Sequence, residues 1–436
     1  MHDFFAPMLD LPKELESKIE TINEQCILDK NLHYFDWTAS GLAAKCVEYR
    51  ISRILPFYAN THSSSNSSAA FMQELYNEAK KRLRNIFKLD SNYAIISCGF
   101  GSTAAIKKFQ ELVGIYLPPK TKAALNLQNL NKDSLPLVIV GPYEHHSNEL
   151  SFREGLCEVV RIPLNELGLL DLESLKSTLE ANKGRKIIAS FSLGSNVSGI
   201  LTPFDKVSHL VRTYGGIMCF DCASTSAYFD IPKEFYDAIF LSPHKLLGGI
   251  GSSGILIINR ALIDKTLPPT FCGGGVVSYV SRQNAQYFSQ DEVREEVGTP
   301  GILELLRAYL GYALREEIST KWINEIKKQR IAEIREFLEN EEKIKIYGNP
   351  SYNVLGIFSF NIESKSPFEI AENLSKNHGI LTRAGCSCAG PYGHDLLGLE
   401  DNANLAQKPG WIRLNAHYTH SLESIEHLKN ALKECL

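Results

Sequence analysis

The sequence predicts an α/β protein, with a mostly parallel sheet wrapped by helices and a smaller α+β unit towards the C-terminus. Three observations predict it. Short apolar runs recur at 94–96, 137–140, 158–162, 186–193, 217–220, 238–241 and 254–258. Amphipathic stretches such as 171–181 and 203–214 separate several of them, the alternation of strands with crossover helices. The runs are continuous rather than alternating, as strands covered on both faces are.

In chain order, residues 11–29 have helical periodicity and His33-Tyr34-Phe35-Asp36 reads as extended. Residues 60–68 form a polar, serine-rich loop, and 71–87 a charged amphipathic helix. The Asn- and Lys-rich segment 118–135 reads as a surface insertion. After Gly301 come a long helical stretch at 303–338, a strand at 354–362, a helix at 367–377, a Gly/Cys loop, and a last strand and helix within 411–432. This predicts a large domain over 31–300 and a small one assembled from 1–30 and 301–436.

Composition narrows the function. The chain has 436 residues, is 44% apolar and 22% charged, and has a net charge of −4, the balance of a folded globular protein. Its basic runs, such as Lys80-Lys81-Arg82, are too short to make nucleic acid the main partner. No apolar run approaches the ~20 residues of a membrane-spanning helix. No basic segment followed by an apolar core opens the chain, so the reading is cytoplasmic. The ten cysteines lack the spacing of a small disulfide scaffold and read as mostly reduced.

The chemistry gathers at strand ends. In Ser242-Pro243-His244-Lys245-Leu246-Leu247-Gly248-Gly249 a lysine follows a strand, and glycines give it closely approaching backbone. Such an amine can attack an aldehyde, although a lone loop lysine is ordinarily surface. Asp221 ends another apolar strand, where ligands bind in such sheets. It can keep a pyridine nitrogen protonated or cap a helix. Gly99-Phe100-Gly101-Ser102-Thr103 joins strand to helix and offers N–H groups and hydroxyls to a phosphate, as an ordinary turn also would. His145 can stack on a ring or serve the structure. Asn196 can donate to a phenolate oxygen or shape a turn.

In this order the segments resemble the class V aminotransferase superfamily, and within it the cysteine desulfurase and selenocysteine lyase branch. The resemblance runs from Tyr34-Phe35-Asp36 to Arg413. It implies the PLP-dependent transferase fold of type I, with pyridoxal-5′-phosphate (PLP) held as a Schiff base on Lys245. Asp221 would pair with the pyridine nitrogen, His145 would stack on the ring and Asn196 would contact the phenolate oxygen. Ser102, Thr103, Ser242 and His244 would hold the phosphate. Gly298-Thr299-Pro300 resembles a segment whose threonine reaches a phosphate across a dimer interface, which implies a homodimer with shared sites. Arg413 would grip the carboxylate of an amino acid substrate as a bidentate fork. His62 either faces that substrate or is an exposed loop histidine. Three positions depart from the family pattern: Ser224 replaces a glutamine, Phe100 an arginine and Asn415 a serine.

Residues 382–391 form a glycine-rich loop that reads as mobile. Cys388 aligns with the catalytic cysteine of the motif R-x-G-x-x-C-A-x-P, and Arg383 with its arginine. The resemblance implies C–S cleavage of L-cysteine to alanine, with persulfide on Cys388 and a possible sulfur-acceptor protein. Three readings compete: a class V aminotransferase, lyase or epimerase that ignores Cys388, a redox pair of Cys386 and Cys388, or purely structural cysteines. Cys386, Cys388 and His394 supply too few spaced ligands for zinc, so no metal is expected.

Overall fold

Seven apolar segments pair into one central sheet in the computed structural model, which describes residues 2–61, 63, 65–127, 134–401 and 410–436. The strands are β1 (Tyr93–Gly99), β2 (Leu137–Val140), β3 (Glu158–Arg161), β4 (Ile187–Ser192), β5 (Ile217–Asp221), β6 (Ala238–Leu241) and β7 (Gly254–Asn259). Their spatial order is β1-β7-β6-β5-β4-β2-β3. From β6 to β3 every pairing is parallel, and β7 runs against both of its neighbours.

Side chains alternate between two cores, one on each face. Leu137 and Ile139 enter one core, Val138 and Val140 the other. This period of two under a continuous apolar run is what burial of both faces requires. The crossover helices Leu172–Ala181 and Phe204–Thr213 bury Leu175 with Leu179 and Val207 with Val211, four residues apart on one helix face.

A second sheet is antiparallel throughout. It contains β8 (Ile344–Tyr347), β9 (Ile357–Ile362), β10 (Arg383–Gly385) and β11 (Trp411–Asn415), in the order β8-β9-β11-β10. Phe358, Phe360, Ile412 and Leu414 pack under Ile370 and Leu374 of one helix and Ile425 and Leu428 of another. The extended segment at 33–36 joins it: His33 pairs in parallel with Ile380, and the Asn415 amide donates to the Phe35 carbonyl (2.9 Å).

The single helix predicted at 303–338 is two, Ile302–Ile318 and Thr320–Asn340. Ser319 between them has φ +80°, where a side chain is strained. The break re-aims the chain. Leu305, Leu310 and Ile323 pack in the core of the central sheet, whereas Ile331, Ile334 and Leu338 pack in that of the second sheet. The insertion predicted at 118–135 begins with a short helix, Pro119–Ala124. A hairpin of Val277–Val280 with Ala285–Tyr287 was not foreseen, because its strands are short and exposed. Among the described residues no helix is long and apolar enough to cross a membrane.

Candidate active site

The chain leaves β1, β2, β4, β5 and β6 at one edge of the sheet, the edge where an open α/β sheet binds ligands. There Ser102, His145, Asn196, Asp221 and Lys245 line one wall of a cavity of about 190 Å³. The facing wall comes from the second sheet and its loop: Arg383, Ser387, Cys388 and Arg413.

Burial governs the electrostatics of the first wall. Lys245 ends a turn of 3-10 helix, Pro243–Lys245, directly after β6. Desolvation brings its ammonium down to about 8, with the opposing pull of Asp221 second in size. Asp221 is buried, accepts from the Ala223 amide (3.0 Å), and is pushed above the usual carboxylate range by the same desolvation. His145 caps the helix His146–Arg153 and accepts at Nδ1 from the Ser147 amide (3.1 Å). Desolvation, then the charge of Lys245, lower it to about 4. It is therefore a neutral ring with its proton on Nε2. His244 is lowered to about 4 by the same two causes.

The helix Gly101–Leu112 begins at this edge with Gly101 at φ +57°. A Cβ on Gly101 would stand 2.8 Å from His244 Cε1 and 3.1 Å from Ser242 Oγ. The Ser102 amide donates to Ser242 Oγ (2.8 Å), and Thr103 Oγ1 lies 2.7 Å from Ser147 Oγ. Behind the turn, a Cβ on Gly254 of β7 would sit 2.0 Å from the Gly101 carbonyl oxygen, so the first helical turn lies directly on the reversed strand.

On the second wall, Arg413 is buried and donates to Asp36 Oδ1 (2.8 Å) and to the Asn196 carbonyl (3.2 Å). Arg383 is its direct partner across β10 and β11 and is exposed. The cysteine loop, predicted to be mobile, is fastened on several sides. The His146 amide donates to the Cys388 carbonyl (2.8 Å), and the Gly390 amide donates to His146 Nε2 (2.8 Å). Asn196 Nδ2 donates to the Ser387 carbonyl (2.8 Å), and Trp411 Nε1 to Ser387 Oγ (3.2 Å). Ser387 and Cys388 are held at φ +55° and +56°.

One predicted site residue among those described, Thr299, is not in this cavity. Thr299 lines a neighbouring pocket with Cys98 and Lys108, and accepts at Oγ1 from Asn60 Nδ2 (3.1 Å). His62 lies outside the described residues. Of the three departures, Ser224 lines the cavity and Phe100 stands 91% exposed at its mouth. Asn415 is buried and serves the structure, donating to the Gly356 carbonyl (3.2 Å).

Sequence reasoning missed Asp36, His146 and Glu144. Asp36 meets Arg413 across 377 residues of chain. Glu144 is buried beside His145 and accepts from the Gly141 amide (3.0 Å), the Ser192 amide (2.8 Å) and Asn148 Nδ2 (2.6 Å), which ties the turn after β2 to β4. Desolvation raises its carboxyl to about 7. The only signal for Glu144 and His146 was adjacency to His145. Among the described residues no group of three His, Cys, Asp or Glu side chains could hold a metal.

Comparison with known proteins agrees with this architecture. A probable cysteine desulfurase of Pyrococcus abyssi is 27% identical over 426 residues, covering 95% of this chain and 97% of that protein. One from Staphylococcus aureus is 25% identical over 421 residues, covering 95% and 94%. In fold, the chain matches an apo cysteine desulfurase from Thermococcus onnurineus with a TM-score of 0.79 at 22% identity, covering 98% of this chain and 99% of that one. It also matches an Escherichia coli cysteine desulfurase in its S-sulfonic acid form, with a TM-score of 0.75 at 19% identity and coverage of 95% and 98%. The sequence pattern of the aminotransferase class-V family spans residues 33–428, from the strand that precedes Asp36 to the helix that follows Arg413, and the chain belongs to that family.

Proposed function

We propose that this protein binds PLP through Lys245 and cleaves the C–S bond of L-cysteine, yielding alanine and a persulfide on Cys388. The observation that carries the proposal is the meeting of two walls: Lys245 and Asp221 on one, Cys388 and Arg413 on the other, around one cavity.

The residues fit the cofactor. Asp221 is a buried acid for the ring nitrogen, and Lys245 is an amine for the aldehyde. The start of the helix Gly101–Leu112, with Ser102, Thr103, Ser242 and His244, suits the phosphate. Asn196 is buried with no partner for Oδ1, and Nδ2 has a second hydrogen to give the phenolate oxygen. When bound, the cofactor supplies an electron sink that acidifies the substrate Cα–H.

The chain's own groups do the rest. Asp221 holds the proton on the ring nitrogen. Lys245, lowered to about 8, is suited to take the Cα proton near neutral pH. His145, neutral, would stack on the ring. Arg413, oriented by Asp36, receives the substrate carboxylate, and Arg383 adds positive charge at the mouth. Cys388 takes the sulfur as its thiolate. Thr299, set apart from the chain's own cavity, would serve the site of a second copy in a homodimer. His62 would approach the substrate from its loop. An acceptor protein would collect the sulfur in the cytoplasm. Relatives named for this reaction cover 95% of the chain, which supports the reading.

The test is turnover of L-cysteine by purified, PLP-loaded protein with a reductant, following alanine and sulfide together. Equal release of both, lost in Cys388→Ala, establishes the reaction. No alanine, with the cofactor still covalently bound at Lys245, overturns it in favour of another amino acid substrate.

A further inference from the structure

We propose that Cys386 is the resolving thiol for sulfur carried on Cys388, an inference that rests on the C–S cleavage reading above. The backbone supplies the first argument. The Ala389 amide donates to the Cys386 carbonyl (3.1 Å), closing a turn with Ser387 and Cys388 at its two central positions. Both central residues are left-handed, at φ +55° and +56°. That conformation is ordinarily left to Asn and Gly, and other side chains are strained in it.

The strain persists because the surroundings impose it. Asn196 and Trp411 hold Ser387, and His146 holds Cys388 and Gly390. What this fastening maintains is a closed turn that carries a cysteine at its first position and another at its third. Two residues apart, their Cα atoms cannot be more than about 7 Å apart even in an extended chain, and a closed turn brings them nearer. That separation falls in the range a disulfide bridges. Both cysteines are free and half-buried, not sealed in the core.

The second argument is delivery. A fastened Cys388 cannot carry its sulfur far, so a nucleophile already in place gives a route of release where no acceptor protein has docked. The Cys386 thiolate attacks Cys388 Sγ. A Cys386–Cys388 disulfide forms, the bond from Cys388 Sγ to the outer sulfur breaks, and that sulfur leaves with the electron pair as HS⁻. The proton lost by Cys386 goes to solvent. No external oxidant is consumed, because the persulfide is already at the oxidation level of a disulfide. A dithiol reductant then restores both thiols and is itself oxidised to a disulfide.

The experiment uses full-length, PLP-loaded protein and its Cys386→Ser variant, without reductant. Cys388 is loaded in two ways, with L-cysteine and directly with inorganic polysulfide. After alkylation, mass spectrometry of the loop peptide distinguishes an added sulfur from the loss of two hydrogens. The proposal expects the wild type to release its sulfide and show the disulfide, and expects the Cys388 persulfide to last about tenfold longer in Cys386→Ser. Equal persulfide lifetimes in the two proteins, with no disulfide, overturn it. Resolution after polysulfide but no loading by L-cysteine supports the thiol pair and overturns the C–S cleavage reading alone.

Discussion

The two walls of the cavity are built on opposite terms. The wall from the central sheet is made at strand ends, where Asp221 closes its strand, Lys245 follows its own within a few residues, and burial is the largest influence on both. The wall from the second sheet contains a turn in a conformation its residues disfavour, held there by His146 and Asn196 of the first wall. On the proposed reading the first wall would supply chemistry common to any amino acid substrate. The second would supply the selectivity for sulfur, and it depends on the first for its shape. A change at the second wall or at its fastenings should therefore spare cofactor capture, whereas a change at Asp221 or Lys245 should damage both.

The largest effect that would break this comparison is at Lys245. Lys245→Ala should abolish covalent capture of the cofactor aldehyde and lower turnover at least about a thousandfold. A cofactor absorbance band unchanged in that variant would remove Lys245 from its role. Next comes pH. With the ammonium lowered to about 8, the reactive neutral amine is about a tenth of the total at pH 7 and half at pH 8. Because the neutral form reacts, the rate of cofactor capture by the apo protein should climb about fivefold from pH 7 to pH 8 and about twofold more before levelling near pH 9. A midpoint near the ordinary lysine value would show that burial does not tune it.

His146→Ala sharpens the dependence of one wall on the other. It leaves the Gly390 amide without its acceptor, at about 1 kcal/mol of stability. Turnover of L-cysteine should fall about tenfold through misplacement of Cys388, with cofactor capture unchanged. His146→Gln, which keeps an acceptor, should recover part of the loss. The smallest effect is at Ser387. Ser387→Gly relieves a left-handed side chain but removes the bond from Trp411 Nε1, so stability should change by less than about 1 kcal/mol, read as a small shift in Tm.

The same division explains what was legible in the sequence. The strands of the central sheet were readable because burial on both faces writes them as unbroken apolar runs. Asp221, Lys245 and the turn after β1 were readable because each lies within a few residues of such a run. The contacts that set the second wall were not. Asp36 meets Arg413 across 377 residues and Asn196 meets Ser387 across 191, and no local pattern announces either pairing. The glycines of the cysteine loop suggested motion, but its hydrogen-bond partners come from distant strands and helices. The helix break at Ser319 was equally silent, since neither glycine nor proline marks it.

The contact between Gly254 and Gly101 also sets where this protein is free to vary. Two peptide planes meet there, and any side chain on Gly254 would overlap the Gly101 carbonyl oxygen. Neither neighbour can yield as a flexible side chain would, because both are main chain. Position 254 is thus closed to drift although it lies far from Gly101 in sequence and carries no functional group. Phe100, one residue before Gly101 and open to solvent, is under no such restriction. A lineage descended from this chain could exchange residues at the mouth to favour new substrates, while the place where strand and helix touch would be inherited unchanged.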